Sequence, residues 1–321
     1  MAILKFINEL ADFNSINAAT STNATYIDAT RVEHGYFLPP LASFTASWPE
    51  PVGSTVWLHY VFGADSITGN WNTDCFKFRD IDGNIVLEMD IVAGANRWEI
   101  FGDTSPQATH TVTIAAQTVY DVQFIKNGTT DITVNVYKDG VLVINALSAA
   151  NVVDVGVPVS WTCQCTDTSA FGNSYFSECL IADEDTRGWR LRQHRVVSAG
   201  VDTDWDGNTT AIIDGSLATG ITTNTNNDRA GFGVSNLEDI PGGAVIDRVS
   251  IQTYAQRGAS GLANFNHFFR YDTPTTEDGS DISLGLSAEI HVEDFTTSPD
   301  TGLAWTDTEM AAIQFGVRGR T

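Results

Sequence analysis

The stretch DITVNVYKDGVLVINA, residues 131–146, decides the fold class, because it contains two apolar, strand-like segments on either side of Asp139 and Gly140. An Asp-Gly pair between two such runs is typical of a two-residue β-hairpin turn, since glycine tolerates a positive φ. The sequence therefore predicts two antiparallel strands joined at Asp139 and Gly140.

Both faces of this predicted hairpin carry apolar side chains. A two-residue turn pairs Val136 with Val143 and Tyr137 with Leu142. One face then holds Ile132, Val134, Val136 and Val143, and the other holds Tyr137, Leu142 and Ile144. A sheet with apolar groups on both faces must be covered on both, so we expect a β-sandwich with a second sheet on one side. On the other side we expect protein rather than a sugar.

The composition limits the classes of partner. The 321 residues contain 17 Lys+Arg and 40 Asp+Glu, a net charge of −23. Binding to a phosphate backbone normally needs a basic stripe, so no nucleic-acid partner is expected. The opening MAILKFINELADF lacks the basic start of a secretory signal, and we expect no membrane span and synthesis in a cytoplasm. Four cysteines are too sparse for a disulfide framework and are expected to be buried free thiols.

Strand patterns dominate the chain. Windows such as STVWLHYVFG (54–63) and SYFSECLIAD (174–183) alternate apolar and polar residues between turn-forming residues. The composition changes at RGWRLRQHR (187–195), a segment rich in arginine. The sequence therefore predicts an all-β protein of two antiparallel β-sandwich, jelly-roll-like domains, residues 1–187 and 188–321. Near the end, Thr306 and Glu309 form a T-x-x-E capping box, which predicts a short helix before a last strand at 313–317.

Two levels of resemblance follow from these segments. The first half resembles the concanavalin A/laminin G-like jelly roll in LKFINELADFNS (4–15), YDVQFIKNGTTDITVNVYKDGVLVINA (120–146) and SYFSECLIADEDT (174–186). The order of parts along nearly the whole chain resembles structural proteins of tailed-bacteriophage virions, which continue with a TDWDGN-type loop (203–208) and an AWTDTEMAAIQFGV-type ending (304–317).

The second resemblance implies a non-enzymatic structural protein on the virion surface, assembled in the host cytoplasm. Such a protein would be a capsid decoration, a tail fibre or tail-tip component, or an adaptor. Its expected partners are other virion proteins and copies of itself in a homo-oligomer, with a host surface glycan as a further partner. A lectin-like carbohydrate-binding module without a virion role is the alternative, and a glycoside hydrolase is a third and weaker one.

The hydrolase alternative rests on LEMDIVAG, residues 87–94. Jelly-roll glucanases carry E-x-D-x-x-E on one strand, which places a nucleophile and a general acid on the same face. Glu88 and Asp90 match the first two positions, but Ala93 stands at the third. We therefore predict no catalytic residues and two surface carboxylates.

A second acidic motif lies in DTDWDGNTTAIID, residues 202–214. Asp202, Asp204 and Asp206, followed by Gly207, reproduce the first half of an EF-hand-like calcium loop. Ile213 stands where that loop needs a bidentate glutamate, and Asp214 comes one residue late. A solvated turn is the favoured interpretation, with calcium at these four aspartates as the alternative and no other cofactor expected.

Exposed aromatic and basic residues give two further hypotheses. Trp71, in TGNWNTD, and Trp205, between two aspartates, are the tryptophans expected to stack on a glycan, while the others are expected in the cores. The arginines that begin the second half either dock on the acidic surface of a neighbouring copy or form a solvated connection: Arg187, Arg190, Arg192 and Arg195. The six histidines show no catalytic motif and are expected to be structural or surface groups.

Overall fold

The computed structural model describes residues 3–7, 15–17, 20–22, 35–38, 42–64, 76–92, 97–102, 105–111, 117–128, 131–148, 156–164, 174–192, 194–207, 209–213, 219–235, 245–271 and 276–321. The chain forms two compact units, Met1–Gln193 and His194–Thr321. Both consist almost entirely of antiparallel strands, which confirms the predicted all-β class. No helix within the described ranges has the length and apolarity needed to cross a membrane.

The first unit is a two-sheet β-sandwich. Its strands are β1 (Ile3–Ile7), β2 (Ser15–Asn17), β3 (Thr20–Thr22), β4 (Gly35–Leu38), β5 (Ser43–Ser47), β6 (Thr55–Ala64), β7 (Phe76–Arg79), β8 (Ile85–Val92), β9 (Arg97–Gly102), β10 (Ser105–Thr111), β11 (Thr118–Asn127), β12 (Asp131–Lys138), β13 (Val141–Ser148), β14 (Ser160–Gln164) and β15 (Ser174–Ala182). One sheet has the order β13-β12-β11-β6-β15-β4-β3, with β1 also on β15, and we call it the hairpin sheet. The other has the order β10-β9-β8-β7-β14-β5-β2.

The predicted hairpin is β12–β13. Both turn residues have a positive φ, 48° at Asp139 and 77° at Gly140, as a tight turn that follows the twist of the strands requires. Tyr137 pairs with Leu142 as predicted, but Val136 pairs with Ile144 rather than with Val143. An extra residue in β13 shifts the register, and this β-bulge turns Ile144 to the core face. The predicted assignment of Ile144 to the outer face is therefore wrong.

Aromatic rings from both sheets fill the core of the first unit. Trp161 of β14 is fully buried, and its ring lies 5.2 Å from Phe44, 5.5 Å from Phe76 and 6.1 Å from Tyr60 between centroids. Phe44 and Phe76 belong to the same sheet as Trp161, whereas Tyr60 comes from the hairpin sheet. These contacts hold the two layers together, because large buried rings contribute much of a core's apolar area.

Two of the four cysteines lie in this core. Cys163 and Cys179 are buried free thiols, which confirms the prediction at these positions. Burial raises the pKa of the Cys179 thiol well above its usual value of 9.0, and the neighbouring Glu178 carboxylate adds to this effect. Cys75 and Cys165 lie outside the described residues.

The second unit is also built of two layers. Its elements are β16 (Val196–Thr203), α1 (Thr210–Ile213), β17 (Arg229–Val234), β18 (Val249–Ala255), β19 (Asn264–Arg270), β20 (Thr276–Asp278), β21 (Ile282–Ser283), β22 (Glu289–Phe295), α2 (Asp307–Ala312) and β23 (Gln314–Arg320). The larger sheet has the order β16-β17-β23-β19-β20, with β21 on β19, and β18 pairs with β22 as a separate ribbon. The ring of Phe269 in the sheet lies 4.5 Å from that of Phe295 in the ribbon, so the two layers share a core.

The capping box predicted from the sequence is present at α2. The Thr306 side chain accepts a hydrogen bond from the Glu309 N–H at 3.2 Å, and the Glu309 carboxylate accepts one from the Thr306 N–H at 2.9 Å. The box satisfies backbone donors that the first turn of a helix leaves unpaired. The last strand follows at Gln314–Arg320, longer than the predicted 313–317.

A polar chain crosses the interior of the second unit. His267 of β19 is fully buried and lies 2.8 Å from the Thr253 hydroxyl through Nε2 and 2.8 Å from the Glu293 carboxylate through Nδ1. The other oxygen of Glu293 accepts a hydrogen bond from the Ser280 N–H at 2.7 Å. With the proton on Nδ1, His267 donates to Glu293 and accepts from Thr253, so both ring nitrogens are satisfied. This chain ties the ribbon to the sheet.

His291 makes the stability of the second unit depend on pH. Burial lowers the pKa of His291 below its usual value of 6.5, although the charge of Glu289 acts in the opposite direction. The folded protein then binds this proton less tightly than the unfolded chain does. The corresponding stability is therefore complete above pH 6.5 and decreases as the pH falls from 6.5 through the folded pKa.

We expect the free energy of unfolding of the wild type to decrease more between pH 7.5 and pH 5 than that of His291→Gln, which cannot take up this proton. Chemical denaturation of both proteins at several pH values measures the difference. If the difference in unfolding free energy between the two proteins is the same at every pH, the lowered pKa of His291 is contradicted.

Candidate functional site

The outer face of the hairpin sheet is covered by the chain itself around Tyr137. The ring of Tyr137 stacks on Trp57 at 5.7 Å between centroids, and only 3% of Trp57 is exposed. The Arg187 guanidinium lies 4.6 Å from the centre of the Tyr137 ring and 5.6 Å from that of Trp57. Asp185 accepts a hydrogen bond from Arg187 Nε at 2.9 Å and holds it there. At this position protein covers the sheet, as expected from the sequence.

A buried polar cluster lies on the same face. Asp121 Oδ1 accepts hydrogen bonds from the Thr186 hydroxyl at 2.7 Å and from His59 Nδ1 at 2.8 Å. All three side chains are fully buried. Because His59 has no access to solvent, it cannot reach an external substrate, and its contacts fix the segment around Thr186 to the sheet.

Glu178 anchors the end of the first unit. It lies at a β-bulge in β15, where the register with β6 shifts between Ser177 and Leu180, and its φ of 52° is unusual for a residue other than glycine. Its side chain is 1% exposed and accepts hydrogen bonds from Arg190 at 2.7 and 3.0 Å and from the Leu191 N–H at 3.1 Å. The buried carboxylate is therefore neutralised by Arg190.

These contacts divide the predicted basic cluster between the two units. Arg187 and Arg190 pair with acidic groups of the first unit. The N–H of Arg195 donates to Ser235 Oγ at 3.3 Å within the second unit, and Arg192 lies just before the division. Glu178 holds Arg190 and Leu191 within the first compact unit, whose bounds are Met1–Gln193. The predicted domains, residues 1–187 and 188–321, stay a prediction. Docking by these arginines stays a prediction.

We expect Arg190→Ala to destabilise the first unit by about 2 to 4 kcal/mol, since it leaves a buried carboxylate without its cation. The loss stays below that for a fully buried pair, because Arg190 is one-third exposed and water screens part of the interaction. The exposed pair of Arg187 and Asp185 provides the control, and Arg187→Ala should cost about 1 kcal/mol or less. Chemical denaturation measures both.

The combination of Arg190→Ala with Glu178→Gln should recover part of the loss, because it removes the buried charge together with its partner. Equal losses of unfolding free energy for Arg190→Ala and Arg187→Ala would show that the buried Glu178 carboxylate does not need Arg190 to neutralise it.

The second sheet of the first unit has a polar outer face. Buried and half-buried residues alternate in β5, β7 and β14, so the core residues leave polar neighbours pointing outward. The outward side chains in the described parts of β5, β14, β7 and β8, which we call the polar face, are Ser43, Thr45, Ser47, Ser160, Thr162, Gln164, Lys77, Arg79 and Glu88, together with the half-buried Ile85, which pairs with Arg79.

One row of the polar face runs straight across four strands. Thr45 pairs with Thr162, Thr162 with Lys77, and Lys77 with Glu88. The two threonine hydroxyls lie 3.0 Å apart, and the Lys77 ammonium lies 3.4 Å from the Glu88 carboxylate. All four side chains are half-buried. Hydroxyls and charged groups are thus held at fixed positions on a rigid sheet, an arrangement that can hydrogen-bond to a polyhydroxylated ligand.

Sequence reasoning did not single out the polar face. Its signal is visible in SFTAS (43–47) and SWTCQ (160–164), where Ser, Thr and Gln alternate with residues that the structure places in the core. The register that aligns these strands is not visible in either segment alone.

The predicted surface carboxylates fall partly on the polar face. Glu88 contacts Lys77, whereas nothing is described of the Asp90 side chain, and Ala93 lies outside the described residues.

In the second unit, Thr253, His267 and Glu293 have the hydrogen-bonding order of a nucleophile, a base and an orienting acid. His267 is fully buried between the two layers, so this series of hydrogen bonds is a structural element of the core.

The predicted calcium residues do not share one environment. Asp202 forms a two-pronged ion pair with Arg270, whose Nε lies 2.8 Å from the carboxylate. Asp204 accepts a hydrogen bond from the Arg229 N–H at 3.2 Å, and the backbone of Asp206 pairs with that of Thr222. Asp214 lies outside the described residues. Within the part of the chain that is described, no three His, Cys, Asp or Glu residues lie together as metal ligands, and calcium binding stays a prediction.

Trp205 packs against the core of the second unit. Its Nε1–H donates to the Asp228 carbonyl at 3.0 Å, and its ring lies against the cluster that contains Ala230, Phe232 and Phe265. Packing therefore accounts for its position, and contact with a glycan is untested. Trp71, the other tryptophan predicted to bind a glycan, lies outside the described residues.

Comparisons with known proteins give distant structural likeness. No protein-family model and no curated protein sequence matches the chain. Among solved structures, the cellulose-induced protein Cip1 is 13% identical over 56% of this chain and 92% of its own, with a TM-score of 0.40. An endo-β-1,4-glucuronan lyase from the fungus Trichoderma reesei is 10% identical over 58% and 98%, with a TM-score of 0.39. The alginate lyase Aly36B is 14% identical over 60% and 100%, with a TM-score of 0.36. At these values the likenesses carry no functional argument.

Proposed function

We propose that this chain is a non-enzymatic carbohydrate-binding protein whose first unit holds a glycan on the polar face. The observation that carries the proposal is the row of Thr45, Thr162, Lys77 and Glu88 across four strands. Such a row offers donors and acceptors at fixed positions along a length of sheet. An extended sugar chain presents hydroxyls at regular intervals and matches this geometry.

The chemistry of the polar face supports a glycan more than an apolar ligand. Hydroxyl and amide groups such as those of Thr162 and Gln164 both donate and accept hydrogen bonds, as sugar hydroxyls do. Lys77 and Arg79 outnumber Glu88 among the described charges of this face, in a chain whose net charge is −23. The proposed ligand class is therefore a polysaccharide with carboxylate groups.

The absence of catalysis is part of the same proposal. The strand that resembles a glucanase motif has Ala93 where the third carboxylate belongs, so a general acid is missing from that pattern. Binding without bond cleavage then requires only the rigid sheet and its polar side chains.

A double variant of the polar face tests the proposal. We expect Thr162→Val/Gln164→Leu to weaken binding to a uronic-acid oligosaccharide by about tenfold or more, because two polar groups that contact the ligand are replaced by apolar ones of similar size. Calorimetric titration of the full chain measures the affinity, after a glycan array has identified the oligosaccharide.

The matched control is Thr133→Val/Gln123→Leu on the outer face of the hairpin sheet, which should bind like the wild type. Failure of the wild type to bind any oligosaccharide on the array would overturn the proposal. Equal affinities of the two double variants would place the ligand elsewhere.

As a second candidate, we propose that the chain is carried on the surface of a tailed-phage particle, on head or tail, after assembly in the host cytoplasm. The order of its parts supports this role, as does one face of the larger sheet in the second unit. That face brings together, in a strongly acidic chain, Arg229, Arg270, Arg318 and Arg320. Aspartates of the same face pair with them, as Asp278 does with Arg229 and Arg318. Such a face, which carries charges of both signs at fixed positions, suits docking onto a virion protein whose surface charges are complementary to it.

Electron microscopy of purified particles, labelled with an antibody to this chain, tests the second candidate. Label over the head would indicate a decoration, and label at one end of the tail would indicate attachment machinery. Intact particles without label would contradict a virion role and leave the carbohydrate proposal unaffected.

A further inference from the structure

Arg79, on the polar face, differs from most arginines in the described part of the chain. Those arginines pair with a carboxylate, as Arg270 does with Asp202. The side chain of Arg79 instead donates through Nη1 to the Gly83 carbonyl at 2.9 Å, and among the described residues it pairs with no carboxylate. The half-buried Arg79 therefore keeps a positive charge that the described side chains do not neutralise.

The turn between β7 and β8 fixes the guanidinium group of Arg79. The Gly83 N–H donates to the Asp80 carbonyl at 3.1 Å and closes this turn. The buried Asp80 carboxylate holds it further, because it accepts hydrogen bonds from the N–H groups of Asn84 at 2.8 Å and Gly156 at 3.1 Å. The turn thus occupies the Asp80 carboxylate, and Arg79 is held in place without being neutralised.

One edge of the Arg79 guanidinium group is left for a further partner. The bond to Gly83 uses Nη1, and among the described residues Nε and Nη2 have no partner. Arg190 shows in the same chain what this edge binds, since its Nε and Nη2 donate to the two oxygens of Glu178 at 3.0 and 2.7 Å. Two parallel N–H···O bonds match the planar shape of a carboxylate and are stronger than neutral hydrogen bonds. Arg79 therefore offers a carboxylate from outside the chain the same two-pronged contact.

The neighbours of Arg79 on the polar face fit a sugar unit. On one side Arg79 pairs with Ser160, and Ser160 pairs with Ser47 on the next strand. On the other side Arg79 pairs with the half-buried Ile85 of β8. Hydroxyl groups therefore lie on one side of the guanidinium group and an apolar group lies on the other, as the hydroxyls and the C–H surface of a sugar ring require.

Lys77, the other described cation of the polar face, has a different environment. It lies two residues before Arg79 on the same strand, and its ammonium is 3.4 Å from the Glu88 carboxylate. An ammonium is a compact point charge and lacks the flat fork of a guanidinium group. Of these two cations, Arg79 is therefore the better match for a carboxylate of the ligand.

We propose that Arg79 recognises the carboxylate of a uronic acid unit and makes binding to the polar face selective for the ionised acid over its ester. This inference rests on the proposed carbohydrate binding and names the residue that determines its specificity. Nε and Nη2 of Arg79 donate to the two carboxylate oxygens, and the nearby Ser160 hydroxyl bonds to the sugar. An ester lacks the pair of anionic oxygens, so the two-pronged contact is lost with it.

Selectivity between two forms of one oligosaccharide tests this role. The probes are the uronic-acid oligosaccharide selected on the glycan array and the same oligosaccharide with its carboxylates converted to methyl esters. We expect Arg79→Gln to weaken binding of the acid form by about tenfold or more, because two charge-assisted hydrogen bonds are lost, and to change binding of the ester much less. Arg79→Lys keeps the charge but not the fork and should recover only part of this loss. Calorimetric titration of the full chain measures each affinity, and circular dichroism confirms that the variants are folded.

Two control variants separate the role of Arg79 from charge in general. Lys126→Gln removes one positive charge from β11 of the hairpin sheet and should leave both affinities at their wild-type values. Lys77→Gln/Glu88→Gln removes the neighbouring ion pair without changing the net charge. It should change the affinities for acid and ester by the same factor.

A wild-type preference for the acid form that is lost in Arg79→Gln and kept in both controls supports the inference. A wild type that binds acid and ester equally overturns it, and so does an Arg79→Gln variant that keeps the preference; the carbohydrate proposal stands in both cases. A wild type that binds no oligosaccharide on the array overturns the carbohydrate proposal and this inference together.

Discussion

The first unit depends on covering both faces of the hairpin sheet. The inner face is covered by the second sheet around Trp161. The outer face carries Trp57 and Tyr137, and its cover is the segment that holds Arg187, fixed to the sheet by the ion pair of Glu178 and Arg190. The outer face of the hairpin sheet is occupied around Tyr137, and the polar outer face of the second sheet is where we propose that a ligand binds.

The arginines of this acidic chain have separate tasks that their spacing does not reveal. Arg187 stacks on aromatic rings and Arg190 neutralises a buried carboxylate, so both serve the first unit from within. In the second unit, Arg270 and Arg318 pair with aspartates on one face of the larger sheet. A run of basic residues in a sequence is therefore weak evidence for a docking patch, because a guanidinium group serves internal pairs as readily as external ones.

Local signals in the sequence predicted local structure well. The Asp139-Gly140 turn and the capping box at Thr306 depend on neighbouring residues, and both are present. The register beyond the turn was wrong at Val136, because a β-bulge follows from packing rather than from the turn residues. The pair of Glu178 and Arg190 was also missed. Glu178 lies at a bulge and Arg190 in a loop, and no characteristic spacing in the sequence predicts an ion pair between two such positions. The polar face required the alignment of four strands, which one sequence does not supply.

The pairing of Glu178 with Arg190 also determines how mechanical load enters the first unit. The chain runs from Thr186 through Arg190 towards the second unit, so tension applied from that side reaches Arg190 before it reaches Thr186. Arg190 passes that tension to Glu178 in β15, an internal strand that pairs with β6, β1 and β4. A strand that is paired on both sides leaves the sheet only when hydrogen bonds on both sides break, whereas an edge strand loses one set. The ion pair therefore transmits a pull on the C-terminal end of the first unit to an internal strand of its sheet.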